Sequence, residues 1–117
     1  MSFPLTITFR NLTSSPAIET FVRRWASKLE TAYNRIERCT VVIERPHLHH
    51  HRGQHYTVRV TLAIPGPDVN VSRDHALDGA HEDVYVAIRD AFQAARRQLE
   101  DHARRERGEV KAHSAPS

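Results

Sequence analysis

From Tyr56 to Ile64 the apolar residues Tyr56, Val58, Val60, Leu62 and Ile64 alternate without a break with Thr57, Arg59, Thr61 and Ala63. A period of two is the signature of a strand with one face in a core and the other toward water. This constrains the whole chain, because a sheet with one wet face needs a single covering layer of helices. The neighbouring segments supply both parts. Phe3, Leu5, Ile7 and Phe9 alternate with Pro4, Thr6 and Thr8 as an opening strand. Thr40-Val41-Val42-Ile43, inside Arg38 to Arg45 and closed by Pro46, is a β-branched run of strand length. After the turn Pro65-Gly66-Pro67-Asp68, the alternation Val69-Asn70-Val71-Ser72 reads as a fourth strand paired back as a hairpin.

The covering layer comes from two helical stripes. Ser15 is placed to cap a helix with Pro16 at its first position, where the missing N–H costs nothing. From Pro16 to about Ile36, the residues Ile18, Val22, Trp25, Leu29, Tyr33 and Ile36 recur at steps of three and four, which predicts one long amphipathic helix. From about Glu82, the residues Val84, Ile88, Ala91, Phe92, Ala95 and Leu99 form a second stripe, with Glu82 and Asp83 complementing the helix dipole. Beyond Ala103 no apolar period continues, so residues 1–103 read as one domain and 104–117 as a flexible basic tail. The expected fold is α+β, a two-layer β-α-β-β-β-α sandwich with two helices on one face of a four-stranded sheet.

With 117 residues, 39% of them hydrophobic, the chain has the composition of one globular domain that buries a core without staples. One cysteine, Cys39, rules out an internal disulfide and reads as intracellular. No stretch approaches the roughly 18 apolar residues of a membrane span, so no membrane partner is expected and the chain reads as cytoplasmic. The net charge of +3, with nine histidines in reserve, favours a polyanionic partner.

The positive charges are segregated. Projected at 100° per residue, Arg24, Lys28 and Arg35 fall at about 240°, 280° and 260° from Ile18, whereas Glu19 and Glu30 lie on the opposite flank. On the second helix Arg89 and Arg96 fall at about 140° and 120° from Val84, and Arg97 and Arg104 near 220° and 200°. Two such helices side by side offer a broad surface for phosphates, with arginine forks and a lysine point charge. That pattern suits recognition of folded RNA by shape. It lacks the aromatic-rich strand that reads unpaired bases by sequence.

His81-Glu82-Asp83-Val84-Tyr85-Val86-Ala87-Ile88, followed by Arg97-Gln98-Leu99, resembles the signature of the bacterial ribosome hibernation-promoting factor and ribosome-associated inhibitor family, also called the sigma-54 modulation protein family. Ser15-Pro16-Ala17-Ile18 and Lys28-Leu29-Glu30 resemble it too, and the similarity covers roughly residues 5 to 102. It implies a fold similar to a double-stranded-RNA-binding domain. It also implies binding to small-subunit rRNA in the cleft used by tRNA and mRNA, and translation blocked by occupancy. Lys28, His81 and Arg97 match positions that such proteins keep near their RNA-facing surface. Ala94 stands where a lysine is frequent, and Arg89 and Arg96 lie on neighbouring faces. The chain resembles the short form, expected to be a monomer when free, with no cofactor, metal or small-molecule substrate.

Rival chemistry centres on His47, His49, His50, His51 and His55, five of the nine histidines in one loop. Three readings stay open: a plain connection between strands; secondary RNA contacts by Arg45, His49, His50, His51 and Arg52, stronger when the imidazoles are protonated; or a small metal-dependent enzyme built on His47 to His55. Cys39, lacking any nucleophile signature, reads as a core residue. His81-Glu82-Asp83 reads as capping rather than acid–base chemistry, and no glycine loop of the phosphate-cradling kind is present. Trp25 and Tyr33 read as core packing, with Tyr85 at the edge of its stripe.

Overall fold

A computed structural model describes residues 1–45, 56–74 and 83–108. The chain forms β1 (Leu5–Arg10), α1 (Pro16–Lys28), a 3-10 turn (Leu29–Thr31), β2 (Arg38–Glu44), β3 (Thr57–Ala63), β4 (Val69–Asp74) and α2 (Val84–Glu106). The four strands make one sheet in the order β1-β2-β3-β4. β1 runs parallel to β2, as a strand rejoined through a helix must, and the remaining pairs are antiparallel. The two-layer α+β sandwich expected from the alternation is the observed fold.

Register converts the period-two patterns into a continuous core. Ile7, Val41, Val60 and Val71 stand side by side across all four strands, and Leu5, Cys39, Leu62 and Val69 form the next row. The members on β2, β3 and β4 are buried, while Leu5 and Ile7 on the edge strand are partly covered. The opposite face carries Thr8, Val42, Arg59 and Ser72 in one row and Thr6, Thr40, Thr61 and Asn70 in another, with Thr61 Oγ1 donating to Asn70 Oδ1 at 3.0 Å. Thr57 and Ala63 depart from strict alternation by being buried. Both stand at the ends of an interior strand, Thr57 in register with Glu44 and Asp74 and Ala63 with Arg38.

Ser15 accepts a hydrogen bond from the Ile18 N–H at 3.3 Å and Pro16 occupies the first turn, as the sequence predicts. α1 ends earlier than expected, at Lys28 rather than near Ile36. The amides of Ala32 and Tyr33 both donate to the Leu29 carbonyl, and the Thr31 hydroxyl donates to the Lys28 carbonyl at 2.7 Å, closing a tighter turn. Tyr33 and Ile36 remain buried beyond it. Apolar spacing of three and four therefore continues across a turn that is not α-helical.

α2 starts at its cap, where the Asp83 carboxylate accepts from the Tyr85 N–H at 2.8 Å. Its buried stripe includes Ala87, Ala91, Ala95 and Ala103 beside Ile88, Phe92 and Leu99, small residues that let the helix lie close over β3 and β4. The helix continues past Ala103 to Glu106, because Ala103 is buried and Glu106 is held from outside the helix. Gly108, at φ 75°, follows the C-cap in the left-handed region that ends many helices.

Candidate nucleic-acid interface

The helices lie side by side and run in the same direction, shown by the order of their aromatic contacts. Phe21 meets Tyr85 edge-on with ring centroids 5.0 Å apart. One turn on, Trp25 stacks on Phe92 at 6.4 Å and 21°. At the far end Tyr33 meets His102 at 5.2 Å. On α1, Phe21, Arg24, Trp25 and Lys28 are spaced three or four apart and share a side; on α2, Tyr85, Arg89, Phe92 and Arg96 do the same. The cations thus border an aromatic seam on both sides.

Trp25 takes part in three contacts at once, one of them edge-on with Phe21 at 6.5 Å. Besides Phe92, its ring carries the Lys28 ammonium 4.6 Å from the centroid. A cation over an indole gains about 0.5–1 kcal/mol at an exposed site, which holds Lys28 near the seam without neutralising it. Arg24, Lys28 and Arg97 are exposed and make no ion pair among the described residues. Arg89 pairs with Asp90 at 3.1 Å and Arg96 with Glu100 at 3.1 Å. These pairs are solvent-exposed, worth a fraction of a kcal/mol, and a phosphate can compete for either guanidinium.

Arg35 leaves the row in which the sequence placed it. Because α1 stops at Lys28, Arg35 lies beyond the 3-10 turn and its guanidinium reaches Glu106 at 3.4 Å. Glu106 also accepts from the Tyr33 hydroxyl at 2.9 Å and lies 3.2 Å from His102 Nε2. Burial and the neighbouring Glu106 push the Tyr33 hydroxyl above its ordinary range. This cluster ties the end of α2 to the chain after α1, a role for Glu106 that its position in an unpatterned polar stretch did not signal.

Arg45 sits at the end of β2, its N–H donating to the Arg10 carbonyl at 3.1 Å, and is not on the helical face. His47, His49, His50, His51, Arg52, His55 and His81 lie outside the described residues. Among the described residues no three His, Cys, Asp or Glu side chains gather where they could hold a metal ion. No described helix is long and apolar enough to cross a membrane. Cys39 is fully buried and its thiol is pushed up to about 12, which makes it a poor nucleophile.

Two features escaped the sequence reading. Phe21 stands outside the α1 stripe of Ile18, Val22, Trp25 and Leu29, yet with Trp25 it faces α2. Tyr85, at the edge of its own stripe, is 39% exposed. The paired spacings Phe21, Trp25, Lys28 and Tyr85, Arg89, Phe92 carried the signal, but which side of each helix met the other was needed to interpret it.

Comparison with known proteins agrees with this architecture. The family model described as "Sigma 54 modulation protein / S30EA ribosomal protein" matches residues 5–107. Among solved structures, a ribosomal subunit interface protein from Coxiella burnetii superposes with a TM-score of 0.69 at 14% identity, over 86% of this chain and 97% of that one. The N-terminal domain of Protein Y from Thermus thermophilus superposes with a TM-score of 0.62 at 20% identity, over 87% and 97%. At such identities these two likenesses concern the fold. No curated protein matched the sequence. The match across nearly all of both layers shows that the chain belongs to the sigma 54 modulation protein / S30EA ribosomal protein family.

Proposed function

We propose that the protein binds small-subunit rRNA through the outer face of α1 and α2, occupies the cleft used by tRNA and mRNA, and blocks translation by steric occupancy. The family is ribosome-associated and is not one of enzymes. The observation that carries the finer reading is the side-by-side placement of Arg24, Lys28, Arg89, Arg96 and Arg97 on two helices, with three of these cations unpaired among the described residues. A surface of this breadth matches an array of phosphates rather than a small molecule. Nothing in the site requires a cofactor, because occupancy needs affinity and bulk alone.

A cell-free translation reaction tests the reading. Added protein is expected to inhibit peptide synthesis in proportion to the ribosomes present, with initiation failing first. The double substitution Lys28→Glu with Arg97→Glu is expected to relieve inhibition while circular dichroism stays native, since both side chains are exposed. Full inhibition by the double variant would refute the assignment of this face.

A further inference from the structure

Resting on that reading of the helical face, we infer that Tyr85 is a stacking platform for one unpaired nucleobase of the bound RNA, flanked by cations that take the adjoining phosphates. Tyr85 and Met1 are the exposed large hydrophobic side chains among the described residues, and Tyr85 shares a side of α2 with Arg89 and Arg96. Its ring is seated against α1. The Asp83 cap fixes the Tyr85 backbone at 2.8 Å, and the ring meets Phe21 at 5.0 Å with an interplanar angle of 89°.

A perpendicular contact leaves room for a base. If the Tyr85 edge meets the Phe21 face, both Tyr85 faces are clear of Phe21; if the Phe21 edge meets Tyr85, one face is still clear. Phe21 is in turn braced by Trp25 at 6.5 Å, and Trp25 by Phe92, so the platform is backed by the core. Arg89 follows Tyr85 by one turn on α2, while Arg24 and Lys28 follow Phe21 on α1. A stacked base therefore has cations on two sides for its own phosphates. Stacking on an aromatic ring tolerates any base, which fits a face with no strand motif for reading sequence.

The test uses the full chain and purified bacterial small subunits. Tyr85→Phe is expected to bind within twofold of wild type and Tyr85→Trp at least as tightly. Tyr85→Leu, which keeps an apolar group against Phe21, is expected to bind about five- to 150-fold more weakly, the span for one lost base stack. The salt slope should not change, because no phosphate contact is removed. Irradiation of the complex at short ultraviolet wavelength should join RNA to the peptide containing Tyr85, as read by mass spectrometry. Tyr85→Leu binding like wild type, or RNA joined only to other peptides, would overturn the stacking proposal and leave ribosome binding intact. Wild-type protein failing to bind small subunits would overturn the ribosomal reading, and the platform with it.

Discussion

Phe92 holds the outer face of α1 and α2 together, and its removal should be felt in a calculable way. The side chain is fully buried, packs into the core from α2, and supports the Trp25 ring on which Lys28 rests. Phe92→Ala forfeits the transfer energy of the ring and leaves a cavity, together about 3–5 kcal/mol. The stack with Trp25 adds roughly 0.5–1.5 kcal/mol of coupling. A domain of this size has about 5–15 kcal/mol in total, so the variant should fold at low temperature yet melt at least roughly 12 °C below wild type. Phe92→Leu, which keeps most of the volume, should cost less than about 1.5 kcal/mol. Urea titrations of wild type, Trp25→Ala, Phe92→Ala and the double variant give the coupling directly. A loss under about 1 kcal/mol for Phe92→Ala, or additive single losses, would refute the packing argument and with it the fixed spacing of the two helices.

Other consequences follow from the same structure. Ser15→Ala should destabilise the domain by about 1 kcal/mol, with Ser15→Gly costing only a few tenths, because the hydroxyl caps Ile18; equal unfolding midpoints for Ser15→Ala and wild type would count against the cap. Cys39 should stay silent to thiol reagents until the protein unfolds, and labelling at the rate of a free thiol would contradict its burial. The thiol is raised in the folded state from 9.0 to about 12, so its contribution to stability is complete below pH 9 and is lost as pH rises toward 12, about 4 kcal/mol across that window. Cys39→Ala should flatten that part of the alkaline stability profile. Glu106→Gln should loosen the end of α2 selectively, seen as faster amide exchange in its last turn, since Tyr33, Arg35 and His102 all converge on that carboxylate; unchanged exchange there would show the cluster to be incidental.

Most of the sandwich was legible in the sequence because its devices are local. Val58, Val60 and Leu62 alternate with Arg59 and Thr61, and Ser15-Pro16 announces a helix start. The end of α1 was not legible, since Leu29, Tyr33 and Ile36 keep helical spacing while the backbone tightens into a 3-10 turn at Leu29–Thr31. That one misplaced boundary carried Arg35 into the basic row and hid its pairing with Glu106. The row itself needed only helical periodicity, so Arg24, Lys28, Arg89, Arg96 and Arg97 could be named in advance. The Phe21–Tyr85 contact is tertiary, joining residues far apart in the chain, and no pattern within either helix specified it.

The central claim is tested most directly by co-sedimentation of the protein with separated small and large ribosomal subunits across a salt series. If Arg24, Lys28, Arg89, Arg96 and Arg97 each engage one phosphate, binding to the small subunit should be saturable and log K should fall against log salt with a slope of about −3.5 to −4.5. Lys28→Glu with Arg97→Glu should make that slope shallower as well as weaken binding. A slope near zero, or saturable binding to the large subunit alone, would contradict the account.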